Sequence, residues 1–267
     1  MNNVFDFKRF DNYFLYDLRR AKNNYSISLL VIGLLPVALY IITQFFSLIT
    51  GNGVTELSDV PKIVAIFAGI AIVMLSAGAR IYGSITEKRA GSDYLMLPAS
   101  TLEKWLSMVL VVCIVLPVVL FVLLFASDAV MSLFFPNTYG HRLFQMDFAR
   151  GVFDGLTGDE GVYFNLPAAL FLGWCESMLI FTLGAVCFKK AKVAKTLLCI
   201  MGFSMVISPL MFLVFGQTNI DNDWLVEHFS DPDRAVSMIN WTLSILYTVV
   251  IGGLLAGLYF RLRTLKH

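Results

Sequence analysis

Residues 105–127, WLSMVLVVCIVLPVVLFVLLFAS, form an apolar run that contains no charged side chain. A helix needs about 20 such residues to cross the hydrocarbon core of a bilayer. The run is therefore predicted to be a membrane-spanning helix. The rest of the chain has the same character, since 58% of its residues are hydrophobic and its mean hydropathy is +0.75. Soluble domains are far less apolar than this.

Five other apolar runs are long enough to span a membrane, so the sequence predicts an all-α polytopic membrane protein with six transmembrane helices in a single domain. The spans are placed near 26–49, 61–83, 105–127, 162–187, 196–216 and 237–260. Pro36 and Pro209 are expected to kink the first and fifth spans. Small residues that would allow close helix approach are Gly69, Gly78, Gly184, Gly252, Gly253 and Gly257.

Residues 1–24 precede the first span and are polar and charged, which gives no indication of a signal peptide. Apolar side chains recur here at helical spacing: Phe7, Phe10, Phe14 and Leu18. The pattern predicts an N-terminal amphipathic helix in the membrane interface, with these four side chains as anchors in the lipid. The alternative is a helix whose apolar face packs on the protein's own core.

Basic residues divide unequally between the two sides of the membrane. One side holds both termini and the loops 84–104 and 188–195, with 16 of the 20 lysines and arginines. The other side holds only Lys62, Arg142, Arg150 and Arg234. The positive-inside rule then predicts that both termini are cytoplasmic and that the loop 128–161 is extracytoplasmic. The net charge of +1 does not suggest nucleic-acid binding.

The loop between spans two and three, 84–104, reads SITEKRAGSDYLMLPASTLEK. It carries an apolar cluster at 94–97, followed by Pro98 and by a capping-box pattern from Ser100 to Glu103. Water penalises exposed apolar clusters. We therefore interpret the loop as a short helix or turn that offers apolar side chains to a cytosolic partner. In the alternative interpretation, Leu95, Met96 and Leu97 fold back onto the chain's own helix ends.

The sequence contains no catalytic or metal-binding pattern. It lacks HExxH, GxSxG and the phosphate-binding GxxxxGK[ST], and its four cysteines lack the spacing of a zinc site. Hydrolysis of ATP by the phosphate-loop route is therefore excluded for this chain. Any ATP-driven work would need a separate subunit that supplies the energy.

Glu176 is the only acidic residue deep within a predicted span. An ionised carboxylate at that depth costs about 3 kcal/mol or more. One interpretation is a substrate contact or a proton-sensitive gate in a translocation path. The other is a structural hydrogen bond to a neighbouring helix, with hydroxyl groups like that of Ser177, Gln44 or Asn240 as the partner.

With these motifs, the chain resembles an ABC-2-type (type V exporter fold) transporter permease. The segment YLMLPASTLEKWLSMVL is similar to one in small permeases of Bacteroidetes-type bacteria, in which LPAS-x-LEK-[FW]-L recurs. The family often has a re-entrant hairpin between spans five and six, whereas residues 217–236 here are few and acidic. The resemblance implies that the 84–104 loop docks on an ATPase. The implied coupling residues are Tyr94, Leu95, Met96, Leu97, Pro98, Ser100, Thr101, Leu102, Glu103 and Lys104.

The resemblance implies a membrane subunit of an ATP-binding cassette exporter in the bacterial inner membrane, moving an amphipathic substrate such as a lipid or a peptide. The chain itself would bind no cofactor and catalyse no reaction, because ATP and magnesium would sit on the partner ATPase. Its partners would be that ATPase, a second permease in a homodimer or heterodimer, and membrane lipids. The alternative is a non-transporting membrane scaffold, or an accessory subunit of a sensor, with the same fold.

Overall fold

The apolar runs become long helices in the computed structural model, which describes residues 5–51, 53, 56–87, 91, 94, 96–140, 166–216 and 232–264. Within these ranges the helices are α1 (Phe7–Gly33), α2 (Leu35–Ile49), α3 (Asp59–Tyr82), α4 (Thr101–Leu110), α5 (Leu116–Phe134), α6 (Pro136–Tyr139), α7 (Leu166–Cys187), α8 (Lys192–Gly216) and α9 (Pro232–Thr264). A 3₁₀ turn at Gly83–Thr86 follows α3, and a π-helical segment at Val111–Val115 joins α4 to α5.

Within the described ranges, six helical stretches are long and apolar enough to cross a membrane. They are span one (Phe7–Ile49), span two (Asp59–Thr86), span three (Thr101–Phe134), span four (Leu170–Cys187), span five (Lys192–Pro209) and span six (Asn240–Thr264). The predicted fold class is therefore confirmed, and the chain is a multi-pass membrane protein. Residues 162–165, at the start of the predicted fourth span, lie outside the described ranges.

The N-terminal amphipathic helix and the first apolar run form one nearly continuous helix rather than two separate elements. Asp6 caps α1, since its carboxylate accepts a hydrogen bond from the Lys8 amide at 2.9 Å. The helix breaks at Leu34, two residues before Pro36. Proline lacks an N–H group and its ring crowds the carbonyl four residues earlier, so a break is expected there. By contrast, α8 stays helical through Pro209.

Span three contains the π-helical segment, and Pro117 lies just after it in the first turn of α5. Because proline cannot donate a backbone hydrogen bond, it leaves carbonyl groups of the preceding turn without their helical partner. The indole Nε1 of Trp174 in α7 donates to the Val112 carbonyl oxygen at 3.3 Å. Span three is thus joined to span four where its own helical ladder is irregular.

The helix of span three continues to Phe134, past the predicted end near residue 127. Asp128 is the first residue of the predicted loop 128–161, but it lies in the helix and is buried. Its carboxylate accepts a hydrogen bond from the Tyr139 hydroxyl at 2.8 Å, and pairing of this kind makes burial possible. Residues 141–161 of the predicted extracytoplasmic loop lie outside the described ranges.

Close approach between helices occurs at two of the predicted glycines, Gly78 of α3 and Gly184 of α7. A Cβ atom on Gly78 of α3 would lie 3.0 Å from the Thr182 backbone nitrogen, and one on Gly184 would overlap the Thr196 hydroxyl of α8. The prediction is confirmed at these positions, since only a missing side chain permits such contacts. Gly252 and Gly253 of α9 instead face open space.

The segments with most of the positive charge meet at one end of the helical bundle, which we call the loop end. Thr86 donates a hydrogen bond to the Phe188 carbonyl oxygen at 3.4 Å, and Arg261 donates through Nε to the Val186 carbonyl oxygen at 3.4 Å. These contacts bring together the 84–104 loop, the turn before α8 and the C-terminal part of α9. The compartment that the loop end faces stays a prediction.

Candidate functional site

At the loop end, α4 begins with the predicted capping box. The Ser100 hydroxyl accepts a hydrogen bond from the Glu103 amide at 3.2 Å, and the Glu103 carboxylate accepts one from the Ser100 amide at 2.8 Å. The two side chains thus satisfy amide groups that have no partner within the helix. This part of the sequence prediction is confirmed.

The Glu103 carboxylate also binds the start of α1. Arg9 donates to it through Nε at 2.8 Å and through Nη2 at 2.6 Å, and the Asp6 amide donates at 3.0 Å. The Glu103 side chain is fully buried, whereas that of Arg9 remains 33% exposed. A buried carboxylate is stable only when charged and polar donors surround it. Glu103 therefore fastens the first turn of α1 to the first turn of α4.

Tyr94 is not on the surface, contrary to prediction, because only 3% of it is exposed. Its carbonyl oxygen accepts a hydrogen bond from the Lys104 ammonium group at 2.8 Å, and that group lies 4.9 Å from the centre of the Tyr94 ring. The Arg20 guanidinium group of α1 lies 5.8 Å from the same ring and donates to the Ser84 hydroxyl at 2.7 Å. Cations attract the face of an aromatic ring, so these contacts hold the loop against α1.

Burial raises the pKa of Tyr94 above the usual value for a phenol. Its side chain is therefore a neutral hydroxyl group at physiological pH. It packs within the main core cluster, where Leu97 also contacts the core from a half-buried position. The predicted exposed cluster at 94–97 is thus wrong for Tyr94 and only partly right for Leu97.

A buried carboxyl group that is not among the predicted site residues is that of Asp17 in α1, which is only 1% exposed. Its Oδ2 atom accepts hydrogen bonds from the Tyr82 hydroxyl at 2.9 Å and from the Ser107 hydroxyl at 2.7 Å. Its Oδ1 atom is buried without a hydrogen-bond partner. Asp17 therefore joins α1 to α3 and α4 at the loop end.

A signal for Asp17 exists in the sequence. The buried face of α1 follows a four-residue repeat of Tyr13, Asp17, Ala21, Tyr25 and Leu29. Four-residue steps keep side chains on one face of a helix. The predicted apolar face, which runs through the phenylalanines, lies beside this repeat. It is the more apolar of the two faces, so the sequence pattern favours it over the face that is buried.

The predicted lipid anchors divide between two environments. Phe7 is 81% exposed, while Phe10 and Phe14 are half-buried with their ring centres 5.9 Å apart. Phe14 and Leu18 pack against the main core. The alternative interpretation, packing on the protein's own core, therefore holds for Phe14 and Leu18. A place in the membrane interface stays a prediction for Phe7.

The proposed coupling residues divide in the same way. Glu103 and Lys104 are buried, and Leu97, Ser100 and Thr101 are half-buried. Leu95 lies outside the described residues. The apolar side chains that remain exposed are Met96, Pro98 and Leu102. A partner protein could therefore reach a smaller set than the sequence indicated.

Glu176 lies half-buried on α7. No hydrogen bond or ion pair joins its carboxylate to another described residue, so the predicted bonds to Gln44 or Asn240 do not form there. Gly173 lies one turn earlier on the same face of α7. A Cβ atom added to Gly173 would be 3.8 Å from the Tyr247 hydroxyl of α9. The Glu176 face of α7 is therefore turned towards span six.

An apolar groove of about 580 Å³ lies between α3, α5 and α7. Its lining includes Ile70 and Met74 of α3, Phe121 of α5, and Phe171 and Trp174 of α7. Two residues along a helix correspond to a rotation of about 200°. Glu176 therefore lies on nearly the opposite face of α7 from Trp174, and it does not line the groove.

The comparisons with known proteins give no further information on this site, because no protein-family profile, curated protein or solved structure matches the chain. In the part of the chain that the structure describes, no three His, Cys, Asp or Glu side chains cluster so that they could hold a metal ion. The function must therefore be inferred from the geometry of the loop end.

Proposed function

We propose that this chain is the membrane-spanning subunit of an ATP-binding cassette exporter, and that a separate ATPase docks on its loop end. The observation that carries the proposal is the attachment of the 84–104 loop to α1, beside a buried carboxyl group that joins α1 to α3 and α4. Arg9 and Arg20 of α1 bind loop residues, Arg9 through Glu103 and Arg20 through Ser84 and the Tyr94 ring. Beside the loop, Asp17 accepts hydrogen bonds from Tyr82 of α3 and Ser107 of α4. A loop that served only as a connection would not need such fastening.

The fastening gives the loop a mechanical role in this proposal. Packed interfaces with satisfied polar networks shift as units, because they deform less readily than flexible loops. A force applied by the ATPase to the loop would reach span one through Arg9 and Arg20. It would reach spans two and three through Tyr82 and Ser107. The three spans would then move together when the ATPase changes shape.

Among the described residues of the loop, the apolar surface available to the ATPase includes Met96, Pro98 and Leu102. Met96 is 81% exposed and Leu102 is 41% exposed at the first turn of α4. Exposed apolar side chains beside a rigid helix end suit a groove on a partner protein. ATP and magnesium would be bound by that partner, and this chain would contribute the docking surface and the path.

The docking surface is tested by replacing Met96 and Leu102 together with aspartate and purifying the protein with a candidate ATPase from a neighbouring reading frame. We expect recovery of the ATPase to fall at least tenfold, because buried charges at the interface have no partner. The thermal midpoint of the membrane subunit should stay unchanged, since both side chains are exposed.

The matched control is the double variant Met96→Leu and Leu102→Met, which keeps the surface apolar and should retain the ATPase. Undiminished recovery of the ATPase with the aspartate variant would contradict the docking proposal.

If the wild-type complex forms but its ATPase activity responds to no lipid or peptide, the non-transporting scaffold or sensor subunit becomes the better description.

The groove between α3, α5 and α7 supports an amphipathic substrate. Its lining is apolar, and it lies within spans two, three and four. Such a site suits the aliphatic part of a lipid or an apolar peptide segment. Glu176 remains a candidate contact for the polar part of such a substrate. Its face of α7 is turned towards span six, away from the groove.

A second permease subunit is part of the proposal. The side chains at positions 197–209 of span five are exposed along their whole length. Type V exporters to which the chain shows resemblance work as dimers, so a homodimer or heterodimer is expected. The proposed location is the bacterial inner membrane, with the loop end in the cytoplasm, as the distribution of basic residues supports.

A further inference from the structure

A second groove, which we call the α1 groove, lies between α1 and span three and has a volume of about 290 Å³. Along α1 its lining includes Leu18, Lys22, Ser26 and Leu29. These positions are three or four residues apart, so they follow one face of the helix. Lys22 is the one charged residue among the described residues that line the groove. The α1 groove is thus apolar along most of its length and cationic near the loop end.

The dimensions of the α1 groove match one leaflet of a bilayer. From Leu18 to Leu29 the helix rises by about 16 Å, and half of a hydrocarbon core is about 15 Å thick. Lys22 lies one turn before the predicted apolar run near 26–49, and its side chain is exposed. A lysine at this depth can extend its ammonium group to the headgroup region while its methylene groups cover apolar surface.

The positive charge beside the α1 groove is available to an anion. Arg19 is also exposed and lies three positions before Lys22, which makes the two cations neighbours on the helix. No hydrogen bond or ion pair joins either cation to another described residue. The nearest acidic residue along α1 is Asp17, but its carboxyl group is buried and accepts hydrogen bonds from Tyr82 and Ser107. This end of the groove therefore favours a negatively charged ligand.

We propose that the α1 groove binds an anionic phospholipid from the leaflet at the loop end. One acyl chain lies between α1 and span three, where burial of its methylene groups contributes affinity. The phosphate group binds the ammonium group of Lys22, with Arg19 beside it. The Ser26 hydroxyl, one turn deeper, donates to an ester carbonyl oxygen of the lipid. A zwitterionic lipid gains the same apolar contacts but less from the two cations.

The α1 groove is separate from the groove between α3, α5 and α7. Val119 lines the α1 groove and Phe121 lines the other, and two residues along a helix correspond to a rotation of about 200°. On span three the wall of the α1 groove begins at Val111, in the π-helical segment. Segments of this kind frequently occur at functional sites. A lipid in the α1 groove would therefore bridge spans one and three without entering the proposed substrate groove.

The experiment measures lipid binding to the full-length protein in detergent by native mass spectrometry. Phosphatidylglycerol and phosphatidylcholine with identical acyl chains are added in separate titrations. We expect one retained phosphatidylglycerol per chain, bound at least fivefold more tightly than phosphatidylcholine. Lys22→Gln should lower the affinity for phosphatidylglycerol about fivefold, the factor that corresponds to about 1 kcal/mol per cation near an anionic lipid. The affinity for phosphatidylcholine should stay unchanged.

Two variants control for the charge. Lys22→Arg keeps a cation at the same position and should retain the preference for phosphatidylglycerol. Lys8→Gln removes an exposed lysine from the same helix outside the α1 groove, so it should behave as the wild type. Because Lys22 and Lys8 are both exposed, all three variants should keep the wild-type thermal midpoint in lipid-free detergent.

The acyl-chain part of the site needs a separate test. Val119→Trp places an indole ring in the α1 groove and should weaken the binding of both lipids. Val119 is 39% exposed, so the larger side chain does not disturb the core. A phosphatidylglycerol with a diazirine in its acyl chain should label residues 18–29 or 111–119, as identified by mass spectrometry. Glycerol phosphate, which has the headgroup charge without the chains, should not displace the lipid.

Equal affinity of the wild type for the two lipids would overturn the proposal. It would also be overturned if Lys8→Gln lost as much affinity as Lys22→Gln, or if the photolabel were spread evenly over the six spans. Displacement of the lipid by glycerol phosphate would show a site for a free phosphate group instead. The test needs no ATPase, so its outcome is independent of the proposed exporter function.

Discussion

The loop end and the middle of span four both hold carboxyl groups in protected surroundings, but their partners differ. At the loop end, Asp17 and Glu103 receive hydrogen bonds from other elements of the chain. Glu176 in span four is half-buried and joins no other described residue through a hydrogen bond or an ion pair. Asp17 and Glu103 therefore join helices to one another, whereas the Glu176 carboxylate joins no other part of the described structure.

This difference has an energetic meaning. A buried carboxylate with donors from several elements costs stability when it is removed, because the donors lose their partner. A carboxylate without donors costs stability while it is present, since it must be desolvated without compensation. Stability measurements on the three acidic residues can therefore test the comparison. The effects are expected to decrease from Asp17 to Glu103 to Glu176.

The largest effect is expected for Asp17→Leu, which should lower the free energy of unfolding by about 3 kcal/mol. The substitution leaves the Tyr82 and Ser107 hydroxyls without an acceptor, and each unpaired buried group costs about 1–3 kcal/mol. Both of these residues are fully buried, so water cannot replace the carboxylate. Denaturation by sodium dodecyl sulfate, followed by circular dichroism, measures the change.

Asp17→Asn is the matched control for this experiment. Its side chain keeps an oxygen acceptor and a similar shape, so it should cost less than half as much as Asp17→Leu. Leucine could instead fill the space without loss, since apolar replacements of buried polar groups are sometimes stabilising. A leucine variant as stable as the wild type would show that Asp17 does not fasten the three helices.

The structural roles of these acidic residues can be predicted from the sequence where their partners are close in the chain. They cannot be predicted where the partners are distant. The capping box of Ser100 and Glu103 could be predicted, because its hydrogen bonds join residues three positions apart. The four-residue repeat of α1 indicates that Asp17 is buried, but its partners could not be recognised, since the two donors lie 65 and 90 positions away along the chain. The burial of Tyr94 could not be recognised either, because Arg20, which packs against its ring, is equally remote along the chain.

The six spans were predictable because hydropathy is a property of each segment alone. Their packing was not, since it depends on which helix lies beside which. The amphipathic pattern of α1 shows this: its phenylalanines suggested the packing of one face, while the repeat through Tyr13 and Ala21 forms the buried face. Asp128 likewise fell at the start of a predicted loop, whereas the hydrogen bond from the Tyr139 hydroxyl allows its carboxylate to be buried in a helix.

An intermediate effect is expected for Glu103→Gln, with a loss of about 2 kcal/mol, in the range for hydrogen bonds to charged groups. Glutamine can still complete the capping box with Ser100. The loss therefore isolates the interaction with the N-terminal turn of α1. Hydrogen exchange at residues 6–10 should become faster, because this turn is no longer held against α4.

The control is a double-mutant cycle with Arg9→Met. If Arg9 and Glu103 act through each other, the double variant should lose no more stability than the more damaging single variant. Additive losses from the two substitutions would show that the pair is not coupled. Glu103 would then be held to α1 by the Asp6 amide rather than by Arg9.

The smallest effect on stability is expected for Glu176→Leu, within about 0.5 kcal/mol of the wild type or slightly more stable, because no donor in the described structure loses its partner. Glu176→Gln should be equally neutral, since it keeps the shape and removes the charge.

If Glu176 lies on the substrate path, both variants should change the substrate-stimulated ATPase activity of the complex, per folded molecule, while their thermal midpoints remain unchanged. If Glu176→Leu instead destabilises the protein as much as Glu103→Gln does, the carboxylate is a structural contact to span six. Glu176 would then no longer be a candidate for the path.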